Sequence, residues 1–170
     1  MATTVAAGSM RPGAAAPDTV ERLLAAGSVV LLGCVAVALA KGRAEWGAVP
    51  WQVWPHLLTV ATALALTPTM LLRPRGDRWH RRLGWLWAGS MVATALLSFD
   101  LRIVNDGRFS VIHLLSLWVL VHVPLVVWTA RTHRVARHRR AVRGLVIGAL
   151  LVAGFFTLPF GRLLGHWLFA

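Results

Sequence analysis

Five stretches of this chain carry no Asp, Glu, Lys or Arg: residues 23–40, 46–72, 83–99, 109–130 and 144–161. At ~1.5 Å of rise per helical residue, each is about long enough to cross a hydrocarbon core of ~30 Å. A hydrophobic content of 57%, a charged content of 14% and a mean hydropathy of +0.65 would by themselves allow a buried helical core. The lengths of the charge-free runs decide for membrane spans instead. The expected fold is therefore an all-α integral membrane protein with five transmembrane helices.

A net charge of +12 raises nucleic-acid binding as a function class, but the placement of the charge excludes it. Residues 73–82 contribute +4 and residues 131–143 contribute +6, whereas 41–45 and 100–108 contribute +1 and 0. Such asymmetry is the positive-inside signature of a bacterial inner-membrane protein. It predicts a cytoplasmic N-terminus, two cytoplasmic basic loops and a periplasmic C-terminus. Many of the nine Trp sit near the ends of the runs, among them Trp46, Trp51, Trp54, Trp79, Trp85, Trp128 and Trp167, where an amphipathic ring prefers the interface.

The chain also repeats itself. His56-Leu57-Leu58-Thr59 returns as His113-Leu114-Leu115-Ser116, and Pro68 as Pro124. The triplet His80-Arg81-Arg82 returns as His138-Arg139-Arg140, and Phe99-Asp100-Leu101-Arg102 is echoed by Phe160-Gly161-Arg162. Order and spacing are both kept, which points to a duplicated unit. The unit is a helical hairpin. Residues 46–105 and 109–169 form the two copies, arranged as parallel repeats that make a four-helix core. Residues 23–40 supply one extra N-terminal helix, and residues 1–22 read as a disordered tail. Ala38-Leu39-Ala40 has the look of a signal-peptidase site, yet the long, nearly neutral tail and long apolar run favour a retained helix. The single cysteine, Cys34, can form no internal disulfide and reads as a packing residue.

Depth follows from counting inward from the basic loops. His56 lies 17 residues from Arg73 and His113 lies 18 from Arg131, so both belong near the outer interface. Asp100 and Arg162 fall at a similar level. His80 and His138 fall together at the inner interface. His122 stands nine residues after His113, which turns it to the opposite face of its helix.

The pattern of His56, Pro68, His80-Arg81-Arg82-Leu83-Gly84 and His138-Arg139-Arg140, with Gly144, Phe156-Thr157 and Gly161-Arg162 downstream, resembles the bacterial predicted-membrane-protein family called domain of unknown function 2306. The resemblance covers about residues 50–168. Val142 or Ala141 stands where that family commonly has a methionine. The resemblance implies an inner-membrane fold and leaves the activity open.

Ionisable residues within membrane runs are functional candidates. Two histidines facing each other at one depth suit bis-imidazole ligation of haem b. The pairs would be His56 with His113 and His80 with His138. Arg81, Arg82, Arg139 and Arg140 would serve as partners for haem propionates. The arrangement is similar in architecture to the transmembrane two-haem cytochrome b proteins. Against this stand blander readings. His-Arg-Arg at a helix end is also an interfacial anchor, and a buried neutral His bonded to Thr59, Ser116 or a carbonyl needs no cofactor. Asp100 is expected to pair with Arg102 or Arg162. No catalytic triad, phosphate loop or carboxylate cluster is visible. The expectation is a membrane electron carrier in contact with lipid and with quinone or another membrane protein, rather than an enzyme with its own substrate. An accessory or assembly subunit and a small transporter-like module are the alternatives.

Overall fold

The computed structural model describes residues 16–101, 111–159 and 161–170. Their regular structure is entirely helical. Helix α1 (Thr19–Lys41) leads into a 3-10 segment (Gly42–Ala48), and α2 (Val53–Leu72), α3 (Arg78–Ser98) and α4 (Val111–Arg131) follow. Helix α5 (Val135–Leu145) runs on without a break through a π-helical segment (Val146–Val152) into the single turn α6 (Ala153–Phe155), and α7 (Leu163–Phe169) ends the chain.

Each boundary has a local cause. Asp18 caps α1 by accepting from the Glu21 N–H at 3.0 Å, while Glu21 accepts from the Asp18 N–H at 3.2 Å. That reciprocal box satisfies two of the donors that every helix start leaves open. The helix therefore begins at Thr19, within the stretch assigned to the tail. Asp77 caps α3 in the same way by accepting from the His80 N–H. Between α2 and α3 the chain turns through Gly76, whose φ of 88° only glycine adopts without strain. Pro68 and Pro124 lie inside α2 and α4, as their repeated positions require.

Consecutive helices pack on one another from α1 to α5, and α1 closes the set by packing on the π-segment. The centre is filled by Leu31, Leu64, Trp87, Met91, Val119, Val123, Leu145 and Leu150, all buried. A second apolar cluster joins α7 to the end of α1 through Val35, Ala38, Leu164 and Trp167. Gly42 belongs to this contact, since the Trp167 indole occupies the place where its Cβ would stand. Lys41 completes it, its Nζ donating to the carbonyls of Leu168 at 3.0 Å and Ala170 at 2.7 Å.

Three stretches are long and apolar enough to cross a membrane: Thr19–Ala48, Val53–Leu72 and His113–Arg131. The remaining two runs of the sequence fold as helices of different character. Arginines occupy the first turns of α3, and α5 is basic along most of its length, so only the later part of each is apolar. The last run is also not one continuous helix, because the chain turns after Phe155 and α7 packs separately against α1.

Glu21 is the least expected residue of the core. It is 1% exposed and lies among Arg75 from the α2–α3 loop and Arg139 and Arg143 from α5. Arg139 donates to both carboxylate oxygens at 3.0 Å, and Arg143 approaches at 3.1 Å. Asp18 adds contacts to Arg139 at 3.2 Å and to Arg143. Breaking a buried charge pair strands its partners, at a cost of about 3–5 kcal/mol. Glu21→Ala is accordingly expected to lower thermal stability in mild detergent by about that amount, and an unchanged unfolding temperature would show that the cluster is open in solution.

The caps carry a pH dependence. The Glu21 N–H, followed by Arg143 and Arg139, holds Asp18 below the usual aspartate value of 3.8. Arg73 and then the His80 N–H do the same for Asp77. A depressed folded-state value means that the stabilisation is complete above the unfolded value and is lost as pH falls through the folded one. Carboxyl-carbon NMR titration should place both groups below 3.8; a normal value for either would mean an unformed cap.

Candidate functional site

A cavity of about 400 Å³ opens among α1, α2, α3, α4, the π-segment and the start of α7. Its walls are mostly aliphatic, with Leu31, Leu64, Met91, Val119 and Leu150 among them. The polar residues that reach it are few: His56, Thr94, Ser98, His113, Ser116, Thr157 and Arg162. His56 is placed by the first turn of α2 and His113 by the first turn of α4. Arg162 is the residue before α7 and the only charged side chain in the lining. The two histidines assigned to one outer pair thus share one cavity.

Hydroxyl groups hold the walls in place. Thr94 on α3 donates to the Thr59 hydroxyl on α2 at 2.8 Å, and Thr59 donates to the His56 backbone carbonyl at 2.9 Å. Ser98 on α3 and Ser116 on α4 are joined hydroxyl to hydroxyl, and Ser98 also donates to the Ala95 carbonyl at 2.7 Å. Thr59 and Ser116 therefore serve the backbone and each other's neighbours, rather than the imidazoles that sequence reasoning gave them. The His56 Nδ1 is buried with no hydrogen-bond partner among the described residues. His113 is 5% exposed and its ring lies 5.7 Å from that of Phe99.

The expected polar layer is only partly assembled. His56, His113 and Arg162 come together, while Asp100 is exposed and outside the lining. Asp100 and Arg162 form no ion pair among the described residues. Arg102 lies outside the described residues. The second histidine pair meets at the opposite end of the bundle, where the His80 and His138 rings lie edge to face with centroids 6.5 Å apart. His138 Nδ1 bonds the Val126 carbonyl at 3.1 Å, which makes Nδ1 the protonated nitrogen and leaves Nε2 as the acceptor.

The arginines of the repeated triplets divide. Arg82 stacks over Trp79 at 5.6 Å and Arg140 is exposed, as interfacial anchors are. Arg81 donates to the Gly76 carbonyl, and Arg139 is bound to Glu21 and Asp18, so neither stands where a propionate partner was expected. His122 packs on Trp118 with centroids 4.3 Å apart and bonds its carbonyl at 2.9 Å. His166 is exposed, 3.9 Å from Glu45. Among the described residues no three His, Cys, Asp or Glu gather as a metal site.

Sequence reasoning missed Thr94 and Ser98, which have no counterparts in the repeat, and the buried Glu21. The spacing Asp18-x-x-Glu21 before an apolar run was the available signal for the last. No protein-family model, curated protein or solved structure matches this chain.

The Ser98–Ser116 bond is the direct polar link between α3 and α4 beside the cavity. Replacing either serine by Ala should cost about 1 kcal/mol, and replacing both hardly more than one. Additive losses in a double-mutant cycle would show that the hydroxyls do not meet.

Proposed function

We propose that this chain is a five-span protein of the bacterial inner membrane that holds haem b between His56 and His113 and acts as a membrane electron carrier exchanging electrons with quinone. In this reading the N-terminus is cytoplasmic and the C-terminus periplasmic. The α2–α3 and α4–α5 units are the two hairpins of a duplicated core, and α1 is the extra helix. The likeness to domain of unknown function 2306 rests on the same histidine and His-Arg-Arg positions and belongs to this proposal.

One observation carries the function: imidazoles from two different helices, and a single guanidinium, line one otherwise apolar cavity. The residues fit such a group. Its volume of about 400 Å³ lies within the ~300–1,000 Å³ typical of sites for small molecules. His56 has a buried ring nitrogen with no partner among the described residues, which suits a ligand-binding role. Arg162 is positioned to pair with an anionic propionate, and the aliphatic walls exclude water. Haem would supply one-electron chemistry; the protein would set its ligands and the polarity around it. The proposal is confined to the outer pair, because the rings of His80 and His138 already meet each other.

The test is a visible spectrum of the detergent-purified protein, expressed with haem supplied, before and after reduction. A Soret band is expected, and His56→Ala and His113→Ala should each abolish it while His122→Ala retains it. Folded protein without the band would leave an accessory or transport role in its place. Orientation is checked separately in a Cys34→Ala background. An impermeant maleimide should reach Arg140→Cys only from the cytoplasmic side and Asp100→Cys only from the periplasmic side; the reverse pattern would invert the topology.

A further inference from the structure

A second, open groove of about 600 Å³ lies between α3 and α4 on the outside of the bundle. Gly89 and Ala93 leave α3 thin along it, and Pro124 forms part of the facing wall on α4. It extends along α3 from Trp85 to Leu96, about 16 Å at ~1.5 Å per residue. That is about half of a ~30 Å hydrocarbon core, the depth of one leaflet.

One end of the groove is cationic and aromatic. The Arg131 guanidinium sits 6.0 Å from the ring centroid of Trp85, across from α4 to α3. Arg134 sits 4.6 Å from the centroid of Trp128. Cation–π contacts of this kind hold guanidinium groups in place while leaving their N–H edges free to bind an anion. None of the described acidic residues, Asp18, Glu21, Glu45, Asp77 or Asp100, lines the groove, so its positive charge is unmatched. The rest of the lining is apolar.

We propose that the α3–α4 groove is a binding site for an anionic phospholipid of the cytoplasmic leaflet. The phosphate binds Arg131 and Arg134, the indoles of Trp85 and Trp128 flank the glycerol level, and one acyl chain lies along Gly89 and Ala93. Charge selects the class of occupant: a zwitterionic head brings its own cation to the arginines, and an uncharged helix of a partner protein makes no use of them. The length of the channel selects a chain that ends at the bilayer midplane. The assignment to the cytoplasmic leaflet rests on the topology proposed above and is independent of haem.

Native mass spectrometry tests the site on the intact chain in mild detergent, with equimolar phosphatidylglycerol and phosphatidylcholine supplied. Phosphatidylglycerol adducts should predominate. Arg131→Gln should lower their occupancy about five-fold, the equivalent of ~1 kcal/mol for one basic residue, and leave phosphatidylcholine unchanged. Arg78→Gln, which removes an exposed charge outside the groove, should have no such effect. Equal retention of the two lipids overturns the proposal, as does an equal loss in both variants. An inverted topology would instead appear in the maleimide labelling, with the preference for the anionic head intact.

Discussion

The buried carboxylate of Glu21 is the constraint on which the arrangement of helices depends. A charge taken out of water is tolerated only when opposite charges and hydrogen-bond donors surround it. Here they arrive from two places far apart in sequence, the α2–α3 loop and the start of α5. Satisfying one side chain of α1 therefore fixes where both basic regions must lie. Helix α1, free of ionisable groups along its apolar length, would otherwise have only shape to choose its neighbours. The cap formed with Asp18 holds the carboxylate at the right height, so the start of a helix and the register of a bundle share one interaction.

The two ends of the molecule use polar groups in opposite ways. At the basic end, charge is neutralised within the fold by the Glu21 cluster or spread over tryptophan rings. At the other end, His56, His113 and Arg162 surround space that no side chain fills. Packed interiors rarely keep such space without a reason, because every lining atom there forgoes contacts. The hydroxyl pairs Thr59–Thr94 and Ser98–Ser116 tie α3 to its neighbours on both sides of the gap. They hold the walls apart as much as together.

The helical architecture and the meeting of His56 with His113 and of His80 with His138 were legible from charge-free runs, repeated histidines and counted depth. Those signals are periodic, and periodicity survives in a single sequence. What they could not convey is the choice of partner among equivalent side chains. Arg139 and Arg140 are neighbours in the same triplet, yet one faces Glu21 and the other solvent, because a helix turns ~100° between them. Asp100 looked like a member of the outer layer by depth alone, but depth does not give azimuth, and it lies outside the cavity. Glu21 was hidden by the opposite error, since a polar stretch before an apolar run reads as tail until its capping spacing is noticed.

The π-helical segment Val146–Val152 runs beside the cavity through Ala149 and Leu150. A wide turn stores a surplus residue that an ordinary α-helix would not accommodate, and such turns recur at functional sites. The surplus resets the phase of everything after it, so that Gly154 meets Leu31 of α1 with no room for a side chain between them. The basic start of α5 and the turn that delivers Arg162 are thus set to different angular registers along one nearly continuous rod. An insertion within Val146–Val152 is the natural origin of that offset. It gives the second half of the duplicated chain a shape that the first half, with its uninterrupted α3, has no means to copy.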